Sequence, residues 1–147
     1  MIYRRAAAAG LALIGSAVGL LLSAAKTKKE LNDIRENELE QQAGQEEKKM
    51  DKFKEGLIEF KNTPGAVLLD VREQTDYDEG HIPGSIHADL QTIQFRHEDP
   101  ETPIFIYCYQ GNRSAMAASI LQEHGFMRVK DIGGIDWYDG ELEVSDS

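Results

Sequence analysis

The sequence contains a single cysteine, Cys108, among 147 residues. One cysteine excludes a disulfide within the chain, and it excludes any zinc cluster that is built on several cysteines. The histidines show no spacing typical of a metal site; they are His81, His87, His97 and His124. We therefore predict no metal ion and no cofactor, while cysteine usage leaves the redox compartment of the protein open.

Positively charged residues are fewer than negatively charged ones. The chain has 16 Lys and Arg against 26 Asp and Glu, which gives a net charge of −10. A protein that binds nucleic acid needs clustered Lys and Arg to neutralise the phosphates. The acidic balance therefore argues against a nucleic-acid partner, and it favours solubility.

The first 25 residues contain no acidic side chain, and Arg4 and Arg5 are their only charges. Residues 6–25 are uncharged, and a helix of that length spans about 30 Å, the thickness of a bilayer core. The segment predicts an uncleaved anchor that holds the protein on a membrane. The alternative is a secretory signal, cleaved near Ala25 after Ser23-Ala24-Ala25, which would export the protein. The anchor is favoured because the apolar stretch leaves little polar region before Ser23.

The next segment, residues 26–49, is rich in Lys, Glu, Gln and Asn and has few apolar side chains. Leu31, Ile34 and Leu39 form a sparse helical stripe that then fades. A coiled coil would need three or four sustained heptads, which this segment lacks. We predict a charged helical or partly disordered spacer, followed by one domain formed by residues 50–147.

From residue 50 onward, helical and strand-like patterns alternate. Asp51 is predicted to cap a helix that stops at Asn62-Thr63-Pro64-Gly65. Apolar runs predict strands at residues 66–71, 85–88, 104–107 and 129–132, with helices between them. Strands that alternate with helices indicate an α/β fold in which a parallel sheet is covered on both faces.

Cys108 lies where a predicted buried strand ends and a predicted helix begins. The apolar residues 103–107 precede it, the run Cys108-Tyr109-Gln110-Gly111-Asn112-Arg113-Ser114 follows, and residues 115–121 have a helical pattern. Open α/β sheets usually place their chemistry at such a junction, where backbone N–H groups and a helix dipole favour an anion. A thiol in this position is expected to lose its proton easily, and the thiolate is its reactive form.

Several short motifs follow one another through residues 51–140. They are Leu68-Leu69-Asp70-Val71-Arg72, Asp76-Tyr77, Gly80-His81-Ile82-Pro83-Gly84-Ser85-Ile86, Ile104-Phe105-Ile106-Tyr107-Cys108, Gly111-Asn112-Arg113-Ser114, Gly125-Phe126 and Asp131-Ile132-Gly133-Gly134. Together, and in this order, they resemble a single-domain rhodanese. The resemblance implies a small doubly wound parallel sheet flanked by helices. We expect four to five strands, because residues 44–49 are too charged to form the family's short first strand convincingly.

The resemblance also implies that Cys108 is a nucleophile that carries sulfane sulfur as a persulfide. The donor would be a small molecule such as thiosulfate or a persulfide, and the acceptor would be cyanide, a thiol or a protein. Thiosulfate is the default donor. A persulfide donor stays open, because Arg113 is the only cation of the loop and the surface is acidic.

The residues around Cys108 are predicted to hold the sulfur. Backbone N–H groups of the loop can form a nest for an anion, and Gly111 permits the close backbone approach. Arg113 either braces the loop, contacts the anion or lies exposed, and the sequence leaves the three roles open. The predicted substrate-binding or loop residues are Tyr109, Gln110, Gly111, Asn112, Arg113 and Ser114. Asp70, Arg72 and His81 are predicted to give structural support.

Loop length separates two kinds of chemistry. Cys108 and Arg113 are spaced as Cys-x4-Arg, whereas phosphatases and arsenate reductases of the same fold use Cys-x5-Arg, a loop with room for a tetrahedral phosphate. The shorter loop favours a single sulfur, so we predict a sulfurtransferase. The alternatives are a non-catalytic rhodanese-like interaction module and, less favoured, a phosphatase or arsenate reductase.

Overall fold

The computed structural model describes residues 27–146. The predicted hydrophobic segment of residues 6–25 lies outside them, so the anchor and the cleaved signal both remain predictions. Among the described residues, no helix has the length and apolar character needed to cross a membrane. The chain divides after Gly44 into two compact units.

The described part of the first unit is the beginning of a helix, α1, which has the bounds Lys28–Asn62. A capping box precedes it: the Glu30 N–H donates to Thr27 Oγ1 at 3.4 Å, and the Thr27 N–H donates to Glu30 Oε2 at 2.8 Å. The prediction that a helix begins at Asp51 is therefore wrong, because Asp51 lies inside α1. Of the two states predicted for the spacer, helical and partly disordered, the helical one is found from Lys28 onward, because its Glu, Lys and Gln residues are good helix formers. The domain boundary predicted at residue 50 stays a prediction.

The second unit contains the end of α1 and all the strands found within residues 27–146. In chain order its elements are β1 (Val67–Asp70), α2 (Gln74–Glu79), β2 (Ser85–His87), a 3-10 turn (Ile93–Phe95), β3 (Ile104–Cys108), α3 (Asn112–Glu123), β4 (Val129–Gly134) and a second 3-10 turn (Ile135–Trp137). The four strands occur close to the predicted positions. Of the predicted four to five strands the sheet has four, because residues 44–49 are helical.

The strands form one parallel sheet in the order β2-β1-β3-β4. Leu69 of β1 pairs with Ile86 on one side and with Ile106 on the other. The chain passes from β1 to β2 on one side and then to β3 on the other, so the strand order reverses between β1 and β3. Open α/β sheets bind ligands outside the carboxyl ends of the strands at such a reversal. Asp70 and Cys108 are the last residues of these two strands.

Side chains of the central strands supply two separate cores, one on each face of the sheet. Ile106 belongs to a buried cluster that includes Leu121 of α3. Phe105, the preceding residue, belongs to a second cluster with Phe53 and Leu57 of α1. Neighbouring residues of a strand point to opposite faces, so helices cover both sides. This confirms the prediction of a parallel sheet that is flanked by helices.

Helix α1 packs tightly on β4 at Gly56. A methyl group built on Gly56 would lie 2.3 Å from Ile132 Cγ2 and 2.7 Å from Ile132 Cβ. Ile132 is fully buried, and a close-packed interior leaves such a side chain little freedom to move aside. The missing side chain at Gly56 therefore sets the distance between the helix and the sheet.

We expect Gly56→Ala to destabilise the protein by about 1–3 kcal/mol, because overpacking outweighs the gain in helix propensity. Gly44→Ala in the same helix is the matched control, since nothing lies within 4 Å of its added methyl group. The control should be neutral or stabilising by up to about 1 kcal/mol. Urea unfolding followed by circular dichroism measures both variants. Equal stability of the two would contradict the tight packing at Gly56.

Candidate active site

The candidate site lies at the carboxyl ends of β1 and β3. Strand β3 is buried along its whole length, and its last residue, Cys108, is 2% exposed. The Val71 N–H donates to Tyr107 O at 3.0 Å, which continues the pairing of the two strands past Asp70. A pocket of about 270 Å³ opens at this edge of the sheet. It is lined by Arg72, Glu73, Asp76, Cys108, Tyr109, Gln110, Asn112 and Arg113.

The loop after Cys108 folds back over its sulfur. The Gly111 N–H donates to Cys108 Sγ at 3.0 Å. Gly111 has a φ of 105°, in the left-handed region that favours glycine, and α3 begins at the next residue. Within residues 27–146, the amides of Tyr109, Gln110 and Asn112 donate no hydrogen bond. These donors and the positive end of α3 remain available to an anion at the sulfur.

Ser114 is fully buried in the first turn of α3 and contacts the thiol. Cys108 Sγ donates to Ser114 Oγ at 3.5 Å, and Ser114 Oγ donates to Asp131 Oδ1 at 2.6 Å. Asp131 lies in β4, and Lys52 Nζ of α1 donates to its Oδ2 at 2.5 Å. The sequence motifs contain Asp131 but predict no role for it, and Lys52 carries no sequence signal, because these residues are far apart in the chain.

Asp70 and Arg72 form a buried ion pair beside the pocket. The Arg72 side chain is 7% exposed and that of Asp70 is 0% exposed. Arg72 Nη2 donates to Asp70 Oδ2 and to Gly80 O, each at 2.7 Å. Burial opposes the charge of the guanidinium, but the hydrogen bonds and the negative charge of Asp70 outweigh it and raise the pKa of Arg72. The pair joins the end of β1 to the end of α2, a geometry that suits the predicted supporting role.

His81 follows α2 and contacts the C-terminal residues of the chain. Its Nδ1 lies 2.8 Å from Tyr77 O, and its ring stacks on the Tyr77 ring at a centroid distance of 3.8 Å. Its backbone exchanges two hydrogen bonds with Glu143, of 2.8 and 2.9 Å. The pocket lining does not include His81, so its contacts are with the scaffold. Its supporting role stays a prediction.

Arg113 pairs with Glu73 at the pocket. Its Nη1 donates to Glu73 Oε1, and its side chain is 41% exposed. The guanidinium therefore joins the loop to the residue that precedes α2, and its buried Nε–H has no acceptor within residues 27–146. Bracing and anion contact both remain open as roles for Arg113.

The second 3-10 turn brings a carboxyl group to the loop. The Asp136 N–H donates to Tyr109 O at 3.4 Å. Burial raises the pKa of Asp136, although the nearby Gln110 amide and the positive charge of Arg72 act in the opposite direction. Asp136 is not among the predicted site residues. Its position depends on the path of the chain after β4, which local sequence patterns do not specify.

Gly134 allows the loop to lie against β4. It pairs in register with Cys108. A methyl group built on Gly134 would lie 2.2 Å from Tyr109 O and 2.7 Å from Gln110 Cα. These are backbone atoms of the loop, so a side chain at this position would displace the loop. The Gly-Gly motif includes Gly134, but its steric function follows from the register of the sheet.

Residues 27–146 contain no group of three or more His, Cys, Asp and Glu side chains that could hold a metal ion.

Sequence comparison shows a match to the family described as the rhodanese-like domain over residues 51–141, more than half of the chain. The thiosulfate sulfurtransferase GlpE of Pseudomonas syringae pv. syringae is 37% identical over 90 residues, which cover 53% of this chain and 85% of that protein. GlpE of Coxiella burnetii is 37% identical over 84 residues, which cover 55% of this chain and 78% of the relative.

Solved structures show the same similarity. The structure of a rhodanese with anions from E. coli has a TM-score of 0.51 at 26% identity, and the match covers 54% of this chain and 99% of that chain. A protein of Staphylococcus saprophyticus has a TM-score of 0.53 at 25% identity and covers 64% of this chain and 94% of its own. With its parallel sheet and a cysteine loop between β3 and α3, the chain belongs to the rhodanese-like domain family.

Proposed function

We propose that the protein is a sulfurtransferase that carries sulfane sulfur as a persulfide on Cys108. The position of the thiol carries the proposal: Sγ lies at the pocket, 3.0 Å from the Gly111 N–H, in a loop whose other amides have no acceptor in residues 27–146. These donors suit the thiolate and then the anionic persulfide. The relatives named thiosulfate sulfurtransferase support the same reaction.

With thiosulfate as the donor, the Cys108 thiolate attacks the outer sulfur. A sulfur–sulfur bond to Cys108 forms, the bond between the two thiosulfate sulfurs breaks, and sulfite leaves with the electron pair. A cyanide or thiolate acceptor then attacks the outer sulfur of the persulfide. Thiocyanate or a new persulfide leaves, and Cys108 returns as the thiolate. The two displacements are the two halves of covalent catalysis and need no external oxidant or reductant.

The charges of the pocket bear on the choice of donor. Arg72 is paired with Asp70, and Arg113 is paired with Glu73, so both cations already have carboxylate partners. Asp76 adds a further negative charge to the pocket lining. Thiosulfate, a dianion, meets little uncompensated positive charge there. We keep thiosulfate as the default donor and propose a low-molecular-weight or protein persulfide as the alternative.

Cys108→Ser is expected to lower thiocyanate formation from thiosulfate and cyanide by about 10³-fold or more, because the nucleophile is lost. Mass spectrometry should find one added sulfur atom on the thiosulfate-treated protein and none on the variant. Urea unfolding is the control and should show a folded variant. Activity that survives the substitution would contradict the proposal.

Two other results would favour the alternative functions. A thiol that reacts with iodoacetamide but takes sulfur neither from thiosulfate nor from a persulfide would favour an interaction module. Hydrolysis of an aryl phosphate that depends on Cys108 would favour a phosphatase.

Gly134→Ala is expected to reduce sulfur transfer at least about tenfold, because the added methyl group displaces the loop backbone by roughly an ångström and misplaces the amide donors. Gly80→Ala is the control, since its added methyl group would meet only the side chain of Leu142. Steady-state kinetics and urea unfolding of both variants separate a loop effect from a loss of stability. Full activity of Gly134→Ala would contradict the proposed role of the loop amides.

For residues 6–25 we propose a membrane anchor, with a cleaved export signal as the alternative. The absence of charges in this segment supports the proposal. The intact mass of the protein from its native host should include these residues, and extraction should require detergent. A mass that lacks the first 25 residues would contradict the anchor and favour cleavage.

A further inference from the structure

A chain of hydrogen bonds leads from the thiol of Cys108 to the surface. Cys108 Sγ is 3.5 Å from Ser114 Oγ, Ser114 Oγ is 2.6 Å from Asp131 Oδ1, and Asp131 Oδ2 is 2.5 Å from Lys52 Nζ. Ser114 is fully buried, whereas the side chains of Asp131 and Lys52 are 16% and 50% exposed. This series of hydrogen bonds therefore connects a buried thiol to a solvated cation through one hydroxyl and one carboxylate.

The hydroxyl of Ser114 has a single hydrogen and several acceptors within reach. Asp131 Oδ1 lies at 2.6 Å, Gly111 O at 3.1 Å and Gly133 O at 3.4 Å. A hydroxyl that donates to a carboxylate forms the shorter and stronger kind of hydrogen bond, of about 2.5–2.7 Å. Asp131 therefore receives the hydrogen, and Ser114 presents an oxygen lone pair to Cys108.

The carboxylate of Asp131 is itself fixed in place. The Gly133 N–H donates to its Oδ1 at 3.0 Å, and Lys52 holds its Oδ2. The orientation of the Ser114 hydroxyl is thus set by a residue of β4, whereas the Gly111 N–H comes from the pocket loop.

We propose that Asp131 is a positioning residue that fixes the direction of the Ser114 hydroxyl and so favours the thiol form of Cys108 over the thiolate. In the thiol, S–H donates to Ser114 Oγ. In the thiolate this hydrogen is gone, and the lone pair of Ser114 faces a negative sulfur. The Gly111 N–H favours the thiolate, so the two neighbours of Sγ act in opposite directions. Lys52 moderates the effect because it offsets the charge of Asp131.

Other charged groups also surround the pocket and the thiol. They are Asp70 and Arg72 after β1, Glu73 and Asp76 at α2, Arg113 on α3 and Asp136 in the turn after β4. All of them are unchanged in the variants described below, so their contributions are common to every comparison.

The test is the ultraviolet absorbance of the thiolate against pH in the full chain. It reports one thiol because Cys108 is the only cysteine, and the five tyrosines, which also absorb when they ionise, are the same in every variant. In Asp131→Ala, the Ser114 hydroxyl is free to donate to the sulfur. We expect the midpoint of thiolate formation to fall by about one pH unit, which is roughly tenfold in the equilibrium. Asp139→Ala is the matched control, since it removes a carboxylate that is 88% exposed, and its midpoint should not change.

A double-mutant cycle separates orientation from charge, because the loss of a carboxylate also favours the thiolate through space. In a Ser114→Ala background only the effect through space remains, so the shift caused by Asp131→Ala should fall to less than half. An equally large shift in both backgrounds, or no shift in the wild-type background, would overturn the proposal.

Asp131→Asn is the second variant, for the case that Asp131→Ala does not fold. It keeps an acceptor oxygen for Ser114 but loses the charge, so we expect a smaller shift in the same direction. A raised midpoint, or a fall that is equally large in the Ser114→Ala background, would overturn the proposal.

The consequence for turnover rests on the proposed sulfur transfer. The low-pH limb of the pH–rate profile for sulfur uptake should move with the thiolate midpoint in these variants. The titration itself does not depend on activity. Failure of every variant and of the wild type to take up sulfur would therefore contradict the proposed function, whereas an unmoved titration would contradict the role of Asp131.

Discussion

Strand β3 is held from both sides at its last two residues, and the geometry of the site depends on this constraint. On the β1 side the Val71 N–H donates to Tyr107 O. On the β4 side Cys108 pairs in register with Gly134, which is small enough for the loop backbone to lie against it. The thiol is therefore presented by a rigid strand, while the loop with its N–H donors is shaped by glycine. A rigid strand next to a loop shaped by glycine suits the proposed nucleophile, which must stay in place while its substrates change.

The buried ion pair of Asp70 and Arg72 lies beside the pocket. The pair contributes more to the geometry of the site than to the stability of the fold. Removing one partner of a buried pair costs about 3–5 kcal/mol, although replacing both with well-packed apolar residues is often neutral. Arg72 also lies over the Tyr107 ring at 5.9 Å. Burial, together with the charge of Asp70, raises the pKa of Tyr107, whose hydroxyl accepts from the Ile82 N–H and hydrogen-bonds Ser85. Asp70, Arg72 and Tyr107 thus tie β1, β3 and the segment after α2 together.

The sequence predicts the strands and the cysteine loop well because their signals are local. Apolar runs mark the strands, and the run from Cys108 to Ser114 contains the proposed nucleophile and the glycine that turns the loop. A helical spacer was one of the two predicted states of residues 26–49, but the charged pattern did not show that this helix continues through Asp51, and the capping-box spacing of Thr27 and Glu30 was missed. Asp131, Lys52 and the steric function of Gly134 were missed for another reason. Each acts on a residue that is distant in sequence, and only the register of the sheet and the packing of α1 bring them together.

The geometry of the loop also bears on why a sulfur suits this site better than a phosphate. The Gly111 N–H is already 3.0 Å from Cys108 Sγ, so the loop closes directly on the sulfur. A tetrahedral oxyanion would need the loop to open and a guanidinium that faces it with two donors. Arg113 instead gives Nη1 to Glu73, so its positive charge already faces a carboxylate. The loop amides can serve a single anionic sulfur, whereas the charge of a phosphate would meet Glu73 and Asp76. The spacing of Cys108 and Arg113 and the pairing of Arg113 therefore favour the same chemistry, and they do so for independent reasons.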